Sequence, residues 1–142
     1  MKNRLLTAIL LLCLAGVVVS SISLYHHYDK SESSFCDFGG KFNCDIVNRS
    51  TYSHIGPIPV ALIGILGYIG LAWLSNFCRK RANGKTFLLV ASLIGLGFAL
   101  CLTYIEGFVL AAWCVMCLTS LALIFTITIL VVTFALRANQ SV

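Results

Sequence analysis

Four apolar stretches occupy most of this 142-residue chain. Each is close to the roughly 20 residues that an α-helix needs to cross about 30 Å of hydrocarbon. The chain is 59% hydrophobic and 11% charged, whereas soluble domains are about 45–50% apolar and about 25% charged. This composition excludes a soluble globular domain. The sequence therefore predicts an all-α integral membrane protein, a single four-helix bundle over residues 1–142. The predicted helices cover residues 5–24, 58–77, 86–105 and 112–136.

One long polar connection, residues 26–57, separates the first two predicted helices. The other connections are short, so this loop is the segment best able to carry a site outside the bilayer. The first stretch also resembles a signal peptide, because Lys2 and Arg4 precede it. A signal peptide's apolar region is usually about 7–15 residues long, followed by a cleavage site with small residues. Here the run is longer and leads to Tyr25-His26-His27-Tyr28, which favours an uncleaved helix.

Charged residues predict the orientation of the four helices. The N-terminus, the connection between the second and third helices, and the C-terminus carry seven basic residues and no acid. The opposite side carries three basic residues and all five acids. Because cytoplasmic flanks are enriched in Lys and Arg, both termini are expected in the cytoplasm and the long loop outside. The seven basic residues are Lys2, Arg4, Arg79, Lys80, Arg81, Lys85 and Arg137.

This orientation separates the seven cysteines into two groups. Four face the outer, oxidising compartment: Cys36 and Cys44 in the loop, and Cys114 and Cys117 at the start of the fourth helix. The remaining three lie at the cytoplasmic end of a helix or near the middle of the bilayer, where a thiol is a small apolar side chain. We expect a structural role for these three, which are Cys13, Cys78 and Cys101.

The spacing Cys114-Val115-Met116-Cys117 places two thiols on one face of a helix, close enough to be bridged. A helix N-terminus offers free N–H groups and the positive end of the helix dipole, and both stabilise a thiolate. Seven residues separate Cys36 from Cys44, including two glycines that let the loop bend towards the helix pair. Two pairs that exchange through a mixed disulfide form an electron relay.

Three other interpretations of the four cysteines remain open. They could bind a metal such as zinc, although structural zinc pairs usually have two to four intervening residues. They could form inert structural disulfides, although a bridge across Cys114 and Cys117 closes too small a loop to add much stability. A non-enzymatic membrane protein could use the loop as a docking surface. Redox chemistry accounts best for a CxxC in this position.

A dithiol at the membrane interface needs an electron acceptor, and a lipid-soluble quinone fits that position. The glycines of the second and third helices lie inside apolar spans, where they favour close helix packing over phosphate binding. Gly64, Gly67 and Gly70 are expected on one face of the second helix.

The chain resembles a bacterial member of the vitamin K epoxide reductase (VKOR) family. The resemblance rests on the Cys-x7-Cys loop, the run CDIVNRS from Cys44 to Ser50, the segment GPIPVALIG from Gly56 to Gly64, and the CxxC opening the last helix. It spans essentially the whole chain. The DsbB type of quinone-linked disulfide generator is less similar, because its CxxC lies in the first outward segment.

The resemblance implies a role for each motif residue. Cys117 corresponds to the thiol that faces the quinone, and Cys114 to the thiol that exchanges with the loop. Cys36 and Cys44 correspond to the shuttle pair that receives electrons from a thioredoxin-fold, DsbA-like protein. Ser50 matches a serine near the quinone ring. The implied location is the bacterial inner membrane with the active site on the periplasmic side, and the implied acceptor is ubiquinone or menaquinone.

Two departures from family patterns affect these expectations. Many bacterial relatives carry a fused thioredoxin-like domain after the fourth helix, and this chain is expected to be the stand-alone form with a separate partner. Animal members have a tyrosine four residues after the CxxC, where this chain has Leu121. Quinone is therefore the expected substrate, in preference to vitamin K epoxide.

Other polar residues outside the cysteine motifs receive simpler interpretations. Glu106 is expected at the outer end of the third helix, where it either handles quinone protons or reaches interfacial water. We favour interfacial water, because a carboxylate near the membrane is costly without a partner. His26, His27 and His54 lack a metal-ligand spacing and are expected at the interface or in the loop.

Overall fold

The computed structural model describes residues 2–29, 37–81 and 84–140. Within them, four helices are long and apolar enough to cross a membrane. They are α1 (Lys2–Tyr28), α3 (Val60–Lys80), α4 (Lys85–Tyr104), which continues as a π-helical turn (Ile105–Leu110), and α5 (Val115–Gln140). This confirms the predicted membrane helical bundle.

The helix ends differ from the prediction on the side of the long loop. Helix α1 continues through His26 and His27 to Tyr28, because no helix-breaking residue occurs in this stretch. The third helix does not end at Ile105, since the π turn extends it to Leu110. Helix α5 begins at Val115, three residues later than predicted. The residues before it pair with the loop.

The four long helices form an antiparallel bundle in which α1 packs against α3 and α5, and α4 packs against α5 and α3. Large apolar side chains also point away from the bundle, as expected for helices surrounded by lipid. Small hydroxyl residues lie inside it: Ser75, for example, is fully buried and donates to the Leu6 carbonyl of α1 at 3.2 Å. The buried apolar core consists of Leu6, Ile9, Cys13, Tyr68, Leu71, Cys78, Leu88, Ile124, Ile127, Val131 and Phe134.

Tyr68 is the residue that joins three helices. Its ring on α3 lies where a Cβ on Gly16 of α1 would be, with ring atoms at 2.5 Å from that position. Its hydroxyl donates to the Ser120 carbonyl of α5 at 2.9 Å and lies 2.8 Å from the Ser120 hydroxyl. Glycine at position 16 therefore leaves the space that the tyrosine ring occupies.

The glycines of α3 do not all serve close helix packing as expected. A Cβ on Gly64 would lie 2.9 Å from the Ser20 hydroxyl oxygen of α1, so this glycine does allow a close approach. No atom lies within 4 Å of the corresponding position on Gly67 or Gly70. These two glycines instead line an open cavity.

The loop between α1 and α3 forms short elements that fold back onto the bundle. Strands β1 (Asp37–Gly39) and β2 (Phe42–Asn43) form a hairpin, followed by the one-turn helix α2 (Cys44–Asn48) and a 3-10 turn (Thr51–Ser53). A second antiparallel pair, β3 (His54–Ile55) and β4 (Ile58–Pro59), leads into α3. Helix α2 packs against α1 and against the π turn, which places it over one end of the bundle.

We predict that Gly16→Val lowers the thermal stability of the protein in detergent, because its side chain collides with a ring held by two hydrogen bonds. Overpacking of this kind typically costs about 1–3 kcal/mol. Gly97→Val is the matched control, since Gly97 is a glycine of α4 with no atom within 4 Å of its Cβ position. Equal melting temperatures for the two variants would contradict this packing role.

Candidate active site

Backbone pairing fixes the loop beside the start of α5. Phe42 of β2 and Trp113 form a parallel bridge. The Trp113 N–H donates to the Lys41 carbonyl at 2.8 Å, and the Asn43 N–H donates to the Trp113 carbonyl at 3.2 Å. Because the two segments run in the same direction, the residues that follow each of them are brought to the same place. One predicted site cysteine follows Asn43 in the loop, and another follows Trp113 in the segment before α5.

Those two residues are Cys44 and Cys114, and both are buried in one small cluster. Cys44 opens α2, whose N-cap Asn43 accepts hydrogen bonds from the N–H groups of Asp45 and Ile46. Cys44 is 1% exposed and Cys114 is 0% exposed. The cluster consists of Cys44, Val47, Ala112, Cys114 and Met116, with Cys117 packed against it.

The structure thus brings together three of the four cysteines predicted to react. The fourth, Cys36, lies outside the described residues, so its pairing with Cys44 stays a prediction. Cys114 and Cys117 are free thiols in this structure. The three described cysteines are not equivalent, because Cys117 lines the cavity of the bundle and the other two do not.

Cys114 occupies the N-cap position of α5, which is one residue outside the helix and not in its first turn as predicted. Its carbonyl accepts the first helical hydrogen bond, from the Leu118 N–H at 3.0 Å. The Cys114 sulfur accepts a hydrogen bond from the Cys117 thiol. It also accepts from the backbone N–H groups of Met116 and Cys117. This is the arrangement in which an N-cap side chain accepts from the next turn.

The hydrogen bond from the Cys117 thiol lowers the pKa of Cys114, and the two backbone N–H groups lower it further. Burial of the Cys114 sulfur opposes this change without reversing it. The thiolate is the form that attacks a disulfide. Cys114 is therefore prepared to react with a neighbouring sulfur.

Glu106 lies inside this site, and the expectation that it reaches interfacial water is wrong. It is 2% exposed, and its carboxylate accepts a hydrogen bond from the Cys114 N–H at 3.2 Å. The π turn turns it inward: Ala111 closes the turn in the left-handed conformation (φ 49°), and the Ala112 N–H donates to the Glu106 carbonyl at 3.2 Å. Left-handed backbone costs a non-glycine residue roughly 1–2 kcal/mol. Burial of the Glu106 carboxyl group is thus accompanied by backbone strain at Ala111.

A cavity of about 550 Å³ extends from the cysteines into the bundle. Most of its surface is apolar and comes from α1, α3, α4 and α5. A few polar side chains project from the helix ends and the loop, and they are concentrated near Cys117. The polar lining residues at this end include His27, Asn48, Ser50, Glu106 and Cys117.

Asn48 lines the cavity, and no sequence motif singles it out as a site residue. It is 6% exposed, and its side-chain oxygen accepts from the Ser23 hydroxyl at 3.3 Å. Its carbonyl accepts from Nδ1 of His27 at 2.7 Å, which ties the end of α2 to α1. Its side-chain nitrogen is buried without a hydrogen-bond partner among the described residues. Buried donors are nearly always hydrogen-bonded, so this nitrogen is available to donate to a molecule in the cavity.

Ser50, which the family resemblance places near a quinone, does line the cavity. Its hydroxyl donates to the Val47 carbonyl at 2.8 Å, so the proton is used within the loop. The oxygen remains an acceptor. Ser50 therefore both hydrogen-bonds to the loop backbone and lines the cavity.

The other cysteines lie apart from this cluster. Cys13 and Cys78 are fully buried in the bundle core, and Cys101 is exposed on α4. Within the described ranges, no group of three or more His, Cys, Asp or Glu side chains is arranged to hold a metal ion.

We predict that Cys117→Ala raises the pKa of Cys114, because it removes the thiol that donates to the Cys114 sulfur. Cys117→Ser keeps a hydroxyl donor at the same place and is the matched control. Because Cys114 is buried, the measurement is the pH dependence of its thiolate absorbance in the ultraviolet, which needs no reagent to reach the sulfur. Identical profiles for the two variants would show that this hydrogen bond does not control Cys114.

Comparison with known proteins identifies the family to which this chain belongs. Comparison with curated proteins gives no match. The family model described as the vitamin K epoxide reductase family matches residues 7–132, which include all four cysteines of the predicted relay. Members of this family are membrane thiol–disulfide oxidoreductases linked to quinone. The chain belongs to the vitamin K epoxide reductase family.

Proposed function

We propose that this protein reoxidises a thioredoxin-fold, DsbA-like partner through Cys36 and Cys44 and passes the electrons through Cys114 and Cys117 to a membrane quinone. The result is net formation of disulfide bonds in the partner's substrates. One observation carries the proposal. Cys114 packs with Cys44 of the loop in one cluster, while its helix neighbour Cys117 lines the cavity.

The proposed relay begins when a thiolate of the reduced partner attacks the Cys36–Cys44 disulfide. Cys44, freed by this exchange, attacks the Cys114 sulfur of the oxidised helix pair, and Cys117 leaves. The partner's second thiol then attacks its mixed disulfide with Cys36, which oxidises the partner and frees Cys36. Cys36 attacks Cys44 in the Cys44–Cys114 mixed disulfide, which closes the loop disulfide again and leaves Cys114 and Cys117 reduced. The burial of Cys44 beside Cys114 supports this order, because a mixed disulfide requires direct contact between sulfurs.

The cavity fits a quinone in size and chemistry. Small-molecule sites commonly have about 300–1,000 Å³ and apolar walls with a few polar groups, and this one has about 550 Å³. The unpartnered Asn48 nitrogen would donate to a carbonyl oxygen of the quinone head group, and the Ser50 oxygen would accept from a hydroxyl of the hydroquinone product. A bound quinone supplies a two-electron, two-proton acceptor. Ubiquinone and menaquinone both meet this description.

Charge distribution supports a location in the bacterial inner membrane with both termini in the cytoplasm. Arg79 and Lys85 lie at the end of the bundle opposite the cysteines, where Arg79 donates to the Thr7 hydroxyl at 2.8 Å and Lys85 donates to the Asn139 side chain. Basic helix ends are retained on the cytoplasmic side. The cysteine cluster then faces the periplasm, where its partner is found.

We predict that the purified protein in detergent reduces ubiquinone or menaquinone when supplied with a reduced DsbA-like protein. Cys114→Ala and Cys117→Ala are expected to abolish turnover, because each removes a sulfur that the relay requires. Quinone absorbance measures the reaction. Cys101→Ala is the matched control, because Cys101 is exposed on α4 away from the site. Failure of the parent with both quinones would overturn the proposal.

We predict that Gly67→Leu impairs quinone reduction, because its side chain extends into the cavity from a position with no atom within 4 Å. Exchange between the partner and the cysteines is expected to continue, since the cysteine cluster is untouched. Gly97→Leu has equal free space but does not line the cavity, and it serves as the control. Equal quinone reduction by the two variants would place the quinone elsewhere.

A further inference from the structure

Glu106 is an acidic residue buried inside the helix bundle, in the π turn that follows α4. Of the five acidic residues in the sequence, it alone falls within one of the four described apolar helices. No lysine, arginine or histidine among the described residues forms an ion pair with it. An ionisable group inside a membrane protein is costly and usually has a function. A counter-ion within the described part of the chain therefore does not explain its retention.

The carboxyl group touches both members of the helix pair. It accepts the Cys114 N–H at 3.2 Å, and it lies within hydrogen-bonding reach of the Cys117 thiol. Like Cys117, Glu106 also lines the cavity. It therefore bridges the sulfur next to the cavity and the space in which the electron acceptor binds. Burial without a cation favours the neutral carboxyl group, which carries a proton.

We propose that Glu106 is the proton carrier between the Cys117 sulfur and the quinone oxygen. This inference rests on the proposed function. Oxidising the pair breaks two S–H bonds, forms the Cys114–Cys117 bond and releases two electrons and two protons, all of which the quinone accepts. Glu106 gives its own proton to a quinone oxygen and recovers one from the Cys117 thiol. It is neutral before and after, and the second proton comes from the other thiol.

Glutamine separates this role from a structural one. Glu106→Gln keeps a side-chain oxygen that can accept the Cys114 N–H. The glutamine amide has no acidic proton that it could transfer to a quinone oxygen. A purely structural Glu106 is therefore replaceable by glutamine. Glu106→Asp retains an acid on a shorter side chain and is expected to restore part of the activity.

The first measurement is quinone reduction as a function of pH, with the reduced DsbA-like protein as donor. Loss of an acid–base group typically lowers a rate 10²–10⁴-fold, so Glu106→Gln is expected to lose about 100-fold and to change the shape of the pH profile. Cys101→Ala is the control and is expected to keep the parent's rate and pH profile, because Cys101 is exposed on α4 and does not line the cavity. A rate within about threefold of the parent with the same profile would overturn the inference, because an acid–base role demands more.

The second measurement needs no quinone. In the reduced protein, the pH dependence of Cys117 alkylation is compared between the parent and Glu106→Gln by mass spectrometry of the Cys117 peptide. A shift along the pH axis supports proton exchange between the two groups, and an unchanged profile overturns it. If the parent fails to reduce quinone, the proposed function fails, and this alkylation comparison still decides the contact between Glu106 and Cys117.

Discussion

The pairing of the loop backbone with the segment before α5 is the interaction on which the site depends. Two hydrogen bonds connect Trp113 to Lys41 and Asn43 across a parallel bridge. They satisfy backbone groups that a loop near the membrane cannot leave unpaired. They also align a cysteine that follows one segment with a cysteine that follows the other. Without this pairing, 69 residues of chain would separate Cys44 from Cys114 with nothing to bring them together.

The four membrane helices and the cysteine pattern could be predicted from the sequence, because hydrophobic length and CxxC spacing are local signals. The start of α5 could not, since Trp113 is as compatible with a helix as with an extended segment. Its use in the bridge to the loop depends on residues far away in sequence. Cys114 consequently becomes a cap of the helix, and its sulfur accepts N–H groups that a position inside the helix would not offer.

Glu106 and Asn48 show why a polar residue's environment is harder to predict than its position. A glutamate at the end of an apolar stretch ordinarily reaches water. Here the π turn and the left-handed Ala111 rotate it inward, and neither has a sequence signal, because alanine favours ordinary helix. Asn48 belongs to a five-residue helix whose orientation depends on contacts with His27 and Ser23 of α1. In contrast, glycine spacing did identify the right face of α3, although Gly67 and Gly70 leave space open and do not close it.

The complete burial of Cys114 also determines which molecules can donate electrons. A sulfur with no accessible surface exchanges with a thiol that the fold delivers to it, and Cys44 lies in the same buried cluster. Small thiols in solution, such as glutathione, have no steric access to this sulfur in the described structure. In the proposed relay, this burial would keep free thiols from drawing on the quinone pool, and the choice of electron donor would be made at the loop.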